Sequence, residues 1–169
     1  HASHHDFIPM PNGNVLLTVW EEKSIAEQVA AGRTGATGVL WIDKLVELKP
    51  IGIDSAVVVW QWSMWDHMVQ GLDASKNNFG VVTDHPELID ANALPANVGS
   101  WSHVNSLDYN DKLDQIMLCS RNFDEIFIID HSTTTAEASG HTGGNSGKGG
   151  DFLYRWGNPI NYGKGQASD

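Results

Sequence analysis

Short runs of alternating apolar and polar residues dominate the chain, broken by Gly-, Asn- and Asp-containing segments. That period-2 pattern predicts strands half-buried on a sheet. Ile8 to Met10 and Val15 to Trp20 flank Pro11-Asn12-Gly13-Asn14. Asn-Gly tolerates positive φ and predicts a hairpin there. Val39 to Leu45 and Ala56 to Trp62 are two more β-branched and aromatic runs that predict strands. Between the second and third strands, Ser24-Ile25-Ala26-Glu27 fits a capping box and Gly32 a helix stop, so a short helix is expected near 24–31. The stretch 64–100 is mixed, with a turn of helix expected at Asp66 to Val69 and another at Asp84-His85-Pro86-Glu87. Strands resume at Val104 to Tyr109, Gln115 to Arg121, Glu125 to Asp130 and Phe152 to Trp156. The Thr-, Ser- and Gly-rich stretch from Ser132 to Gly150 reads as a loop.

The strand order repeats. His5-Asp6-Phe7 returns as His103-Val104-Asn105, and Val15-Leu16-Leu17-Thr18 as Ile116-Met117-Leu118-Cys119. Leu40-Trp41-Ile42-Asp43 returns as Phe127-Ile128-Ile129-Asp130, and Trp60-Gln61-Trp62-Ser63 as Tyr154-Arg155-Trp156-Gly157. The first unit spends its extra residues on the Ser24 helix, the second on the Gly-rich loop. Each unit has the four short antiparallel strands of a propeller blade. An all-β propeller fragment of about two blades with short helical insertions is therefore expected; the alternative is an eight-stranded sandwich. The division is 1–63 for the first blade, 64–100 for an irregular segment, 101–157 for the second blade and 158–169 for the truncated start of a further unit. Two blades cannot cover both their faces, which together with an opening His1-Ala2-Ser3 suggests a piece of a longer protein.

The 169 residues carry 10 Lys and Arg against 21 Asp and Glu, a formal net charge of −11. That balance opposes nucleic-acid binding, which needs a cationic footprint, and adsorption to an anionic leaflet. No apolar run approaches the roughly 18 residues of a membrane span. The lone Cys119 leaves no internal disulfide and no Cys-based zinc or redox motif.

His5 and His103 stand at equivalent places near the start of the first strand of each unit, where a propeller would turn both toward one channel. Imidazole there binds anions, moves protons or acts as a nucleophile, or each ring simply caps a neighbouring strand. Asn105, two residues on, is expected on the same side of the strand as His103. Arg121 ends the strand paired with that of His103; its donor fork matches sulfate, phosphate or carboxylate, unless it is spent on an ion pair with Asp124 or Glu125. His67, in Trp65-Asp66-His67, joins the pocket rim or pins a loop. Gly143 to Gly150 is no phosphate loop, because Thr142 and Gly149 stand where Gly and Ser or Thr are needed. His4-His5-Asp6 offers metal-ligand types without zinc-site spacing, so no metal is expected. His1, His85 and His141 read as exposed and without function.

His4-His5-Asp6-Phe7 with Pro11-Asn12-Gly13-Asn14, Trp60-Gln61-Trp62 with Trp65-Asp66-His67, Trp101-Ser102-His103-Val104-Asn105-Ser106, Ser120-Arg121 and Gly150-Asp151-Phe152-Leu153-Tyr154-Arg155-Trp156-Gly157-Asn158-Pro159 resemble the bacterial arylsulfate sulfotransferase family. The resemblance implies a six-bladed propeller that moves a sulfuryl group from a phenolic sulfate ester to a phenol. It implies a sulfohistidine intermediate and neither a cofactor nor a nucleotide sulfate donor. It makes His103, Asn105 and Arg121 sulfate-binding residues, with His5 their partner from the preceding blade. It places the nucleophilic His after Asp169, so that His131 and His141 are not candidates and this chain alone is expected to be inactive. It further implies a periplasmic or secreted protein, a homodimer, and small-molecule donor and acceptor as partners. The rival reading is a non-catalytic propeller module that binds a small anion at the same residues.

Overall fold

The structure is a computed structural model and describes residues 2–95 and 99–166; His1 lies outside them. The protein is all-β, with two four-stranded antiparallel sheets and a few short helices. The first sheet runs in order through β1 (Ala2–Pro9), β2 (Val15–Lys23), β3 (Leu40–Ile51) and β4 (Ser55–Ser63). A two-stranded parallel pair follows, β5 (Met68–Val69) and β6 (Ile89–Asp90). The second sheet is built from β7 (Val104–Asn110), β8 (Gln115–Ser120), β9 (Glu125–Asp130) and β10 (Tyr154–Gly157). Both sheets are simple meanders, each strand pairing with the next in sequence, as the repeat predicts.

Local signals explain the ends of elements. The Asn12-Gly13 turn is formed, with Gly13 at φ 83 and Met10 N–H bonded to Asn14 O at 2.8 Å. Helix α1 (Ile25–Ala30) carries the expected capping box between Ser24 and Glu27. The Ser132–Gly150 stretch is not all loop: Thr134 and Glu137 form a second capping box and start α2 (Thr135–Ala138). It is the same Ser/Thr-x-x-Glu signal as at Ser24, hidden among Thr and Gly. The helix expected at Asp84 to Glu87 is absent. One 3-10 turn, Val82–Asp84, ends where it was to begin, and Leu88 N–H closes a turn on His85 O. The turn expected at Asp66 to Val69 lies slightly earlier, at Met64–His67.

The residue matches between the units also shift. Thr18 Oγ1 donates to the carbonyl of His4, and Ser120 Oγ donates to that of Ser102, so Thr18 corresponds to Ser120 rather than Cys119. Asp43 pairs with Trp20 at the histidine end of its sheet, whereas Asp130 pairs with Gln115 at the opposite end. They are therefore not equivalent. Strand pairing, which sequence similarity does not fix, decides this.

One core joins the sheets. Leu16, Leu45, Trp60 and Trp62 from the first pack in the same buried cluster as Trp101, Leu118, Phe127 and Phe152 from the second. The Leu153 to Pro159 block is largely structural here. Arg155 binds Glu125 through two 2.6 Å hydrogen bonds, donates to Leu88 O at 2.9 Å, and lies over the Tyr162 ring. A further ionic tie crosses between the sheets: His131 Nε2 lies 3.0 Å from Glu47 Oε2 and Nδ1 2.7 Å from Asp114 Oδ1.

Burial pushes the Glu47 carboxyl up, but the amide N–H groups of Asn14 and Asn12 and the His131 ring outweigh it. Glu47 therefore titrates below its ordinary value of 4.5. A depressed carboxyl adds stability that is complete above its unfolded pKa and lost as pH falls through the folded one. Glu47→Gln is expected to cost about 1–3 kcal/mol at neutral pH. It should also flatten the acid limb of stability below pH 4.5, read by thermal unfolding across pH.

Candidate anion-binding site

Two local distortions present the paired histidines. His5 sits at φ 55 and His103 at φ 50, in the left-handed region that non-glycine residues seldom occupy. His5 lies within a register break, where β1 slips against β2 between Ser3 and Phe7; His103 lies just before one, where β7 slips against β8 between Val104 and Ser106. An irregularity thus falls at or next to each histidine, and such breaks re-aim side chains. His5 lies inside β1 rather than at its start, while His103 immediately precedes β7. Their rings approach to 4.7 Å between centroids, joining the two sheets at one point.

The backbone brings Arg121 to the same place, its N–H donating to His103 O at 3.1 Å. Glu125, which sequence offered as an ion-pair partner, is taken by Arg155. The exposed Arg121 guanidinium has no ion-pair or hydrogen-bond partner among the described residues. Asn105 is exposed at the bulge. Strict alternation is broken there, so period-2 spacing does not by itself set its side relative to His103. Burial lowers the His103 pKa from its ordinary 6.5; the neighbours His5, Arg121 and His4 act in the same direction and Asp43 opposes them. A bound anion would favour the proton that burial disfavours on this imidazole.

Sequence reasoning missed the group that holds this arrangement together. Asp43, 1% exposed, accepts hydrogen bonds from Ser102 Oγ and, at 3.1 Å, from the Val104 N–H. Both donors flank His103. The other oxygen faces His4 Nε2 at 3.1 Å, close enough to pair but off the hydrogen-bond line. His4 in turn stacks on Trp20 at 4.4 Å and meets His5 edge-on at 5.2 Å. Asp6 makes a second bridge, accepting the Leu107 N–H at 2.8 Å. The sequence signal for Asp43 was an acidic residue inside an apolar strand, matched in the repeat to Asp130.

A groove of about 800 Å³ reaches the site; His4, His5 and Phe7 form one wall, and Leu48, Pro50 and Ile53 another. His103, Asn105 and Arg121 do not line it. His67 is not on a rim. It is fully buried, stacked on Trp62, with Nδ1 2.8 Å from Asp151 Oδ1 and Nε2 2.9 Å from Ala138 O, and pins the Gly-rich loop. His141, expected to be exposed and idle, joins it on Asp151. His85 is half-buried beside Glu87. Among the described residues no helix is long and apolar enough to cross a membrane.

His5 and His103 thus meet beside an arginine whose side chain has no ion-pair or hydrogen-bond partner among the described residues. The sequence model of the family described as Arylsulfotransferase (ASST) matches residues 1–137, and the chain belongs to that family. The match takes in His5, His103, Asn105 and Arg121 and ends before the Leu153 to Pro159 block. No curated protein and no solved structure matches.

Replacing Asp43 by Asn removes the charge that the Val104 N–H and Ser102 hydroxyl bind. Asp43→Asn is expected to destabilise the chain by roughly 1–3 kcal/mol in denaturant unfolding. It should also change the chemical shifts of the His103 ring, because the backbone on either side of His103 loses its anchor.

Proposed function

We propose that His103, Asn105, Arg121 and His5 bind the sulfate group of an aryl sulfate in a sulfotransferase that passes the sulfuryl group to a phenol. The observation that carries this reading is the meeting of His5 and His103, 4.7 Å apart, with Arg121 bonded to the His103 backbone. Family membership supports the reaction class. Guanidinium and imidazole N–H groups match the oxygens of a sulfate ester, and Asn105 adds an amide donor. In the transfer step a histidine nitrogen attacks sulfur and the bond from sulfur to the aryl oxygen breaks. The phenolate leaves and takes a proton; the acceptor phenol then attacks the sulfohistidine in the reverse sense. Arg121 neutralises charge on the sulfuryl oxygens as they pass through the transition state.

The roles fit four residues that bind rather than attack, and the family resemblance puts the attacking histidine beyond this set. The 169-residue chain by itself therefore binds aryl sulfate without turning it over. The two sheets act as blades of a propeller, with 1–63 and 101–157 as the repeating units. The same resemblance supports an exported, periplasmic homodimer that uses no cofactor.

p-Nitrophenyl sulfate serves as the probe in calorimetric titration of the purified chain. Arg121→Ala is expected to weaken its binding about tenfold or more, the cost of one charged hydrogen bond. Binding should tighten as pH falls below 6.5, because the bound anion favours the proton that the free site disfavours on His103. His103→Gln should flatten that dependence. Unchanged affinity in Arg121→Ala overturns the assignment, and release of p-nitrophenol by the chain alone overturns the claim that it is silent.

A further inference from the structure

Away from the proposed sulfate site, His67, His141 and Asp151 bring three metal-ligating atoms together, all within 4.8 Å of one another. His67 comes from the 3-10 turn after β4, and His141 and Asp151 flank the Gly-rich run 142–150. Their separation in sequence hides the cluster from any spacing rule. Both Nδ1 atoms converge on the same oxygen, Asp151 Oδ1, each at 2.8 Å.

The protonation of His67 is constrained. Nε2 faces the Ala138 carbonyl at 2.9 Å, so it must carry a hydrogen. In the neutral ring Nδ1 then has a lone pair, aimed at a carboxylate oxygen 2.8 Å away inside a fully buried pocket. Two acceptors at that distance need a cation between them. One solution is a proton, on the ring or on the Asp151 carboxyl; the other is a metal ion. An imidazole that donates its far N–H to a backbone carbonyl while the near nitrogen binds metal is the usual supporting arrangement. Two imidazoles and one carboxylate suit a borderline ion such as Zn²⁺ better than Ca²⁺ or Mg²⁺, which prefer all-oxygen shells. Metal bonds of about 2.0–2.1 Å to each atom would need only a slight opening of the present separations. The His141 side chain is 59% exposed, so the fourth position opens to water.

We propose that His67, His141 and Asp151 bind a divalent ion of the zinc class, which clips the Gly-rich loop to the first sheet. The loop is already drawn tight at this point. Trp62 Nε1 donates to Gly150 O at 2.8 Å, and a Cβ on Gly150 would lie 2.6 Å from His67 Nε2 and 2.1 Å from Ala138 O. The ion would join three segments that otherwise meet only through hydrogen bonds.

The test uses Zn²⁺ with the chelator-treated 169-residue chain, read by equilibrium dialysis with elemental analysis. One equivalent is expected, with slower proteolytic cleavage within 142–149. His141→Ala changes an exposed side chain and should fold; it is expected to weaken binding at least tenfold and to abolish the protection. Asp151→Asn should do the same. Co²⁺ in place of Zn²⁺ should give the visible absorption of a tetrahedral nitrogen and oxygen shell, lost in His141→Ala. Histidines elsewhere are controlled by His103→Ala and His85→Ala, which should retain one equivalent. Failure to take up Zn²⁺, full binding in His141→Ala, or loss of the equivalent in His103→Ala overturns the site. Binding without protection of the loop overturns the clip.

Discussion

The buried carboxylate of Asp43 is the constraint on which the candidate site depends. A charge that is 1% exposed survives only if donors satisfy it, and its donors come from the other sheet. Ser102 and the Val104 N–H therefore have to stand where they do, and His103 between them has little freedom. The neighbouring backbone reinforces this, because the Trp101 N–H donates to Trp41 O at 2.9 Å and the Trp41 N–H to Gly99 O at 2.7 Å. The second sheet takes its position at this end from the third strand of the first. Asp6 and Glu47 repeat the device, each a carboxylate of the first sheet reaching groups of the second. In an acidic chain the internal carboxylates work as cross-sheet ties.

Strain and electrostatics meet at the two histidines. A left-handed backbone at a non-glycine residue costs of order 1–3 kcal/mol; His5 and His103 bear it at equivalent positions, and Asp114 and Asp124 share it. Thr18 and Ser120 hold the two bulges by donating to the carbonyls of His4 and Ser102. The result is a pair of rings tilted at 48° with centroids 4.7 Å apart, one within β1 and one just before β7, near Arg121, while Glu125 is occupied by Arg155. Asp43 supplies a buried carboxylate beside these rings, and the Arg121 guanidinium adds a positive charge suited to an anion.

Sheet membership, the hairpin at Asn12-Gly13, the Ser24 helix and the pairing of His5 with His103 were all legible in the sequence. Each depends on a signal confined to a few neighbouring residues: alternation, turn chemistry, a capping box, a motif met twice. Where several short-range signals compete, legibility failed. The Thr134 capping box lay inside a Gly-rich stretch, and Asp84-His85-Pro86-Glu87 had helix-start residues but no apolar face to bury. The matched segments gave the right strands but the wrong partners across them, because cross-strand register is set by bulges and side-chain hydrogen bonds.

The sequence by itself determined that this is an all-β repeat whose equivalent histidines, together with Asn105 and Arg121, carry the candidate chemistry. It also determined the family, since the residues concerned stand in recognisable blocks. Only the tertiary structure decided which polar groups meet. Asp43 with Ser102, Glu47 with His131, and His67 with His141 and Asp151 are far apart in the chain and obey no spacing. The reason is physical. A buried charge or a paired donor is satisfied by whatever the packed sheets bring within about 3 Å, and that proximity is a property of the assembled core, not of any segment.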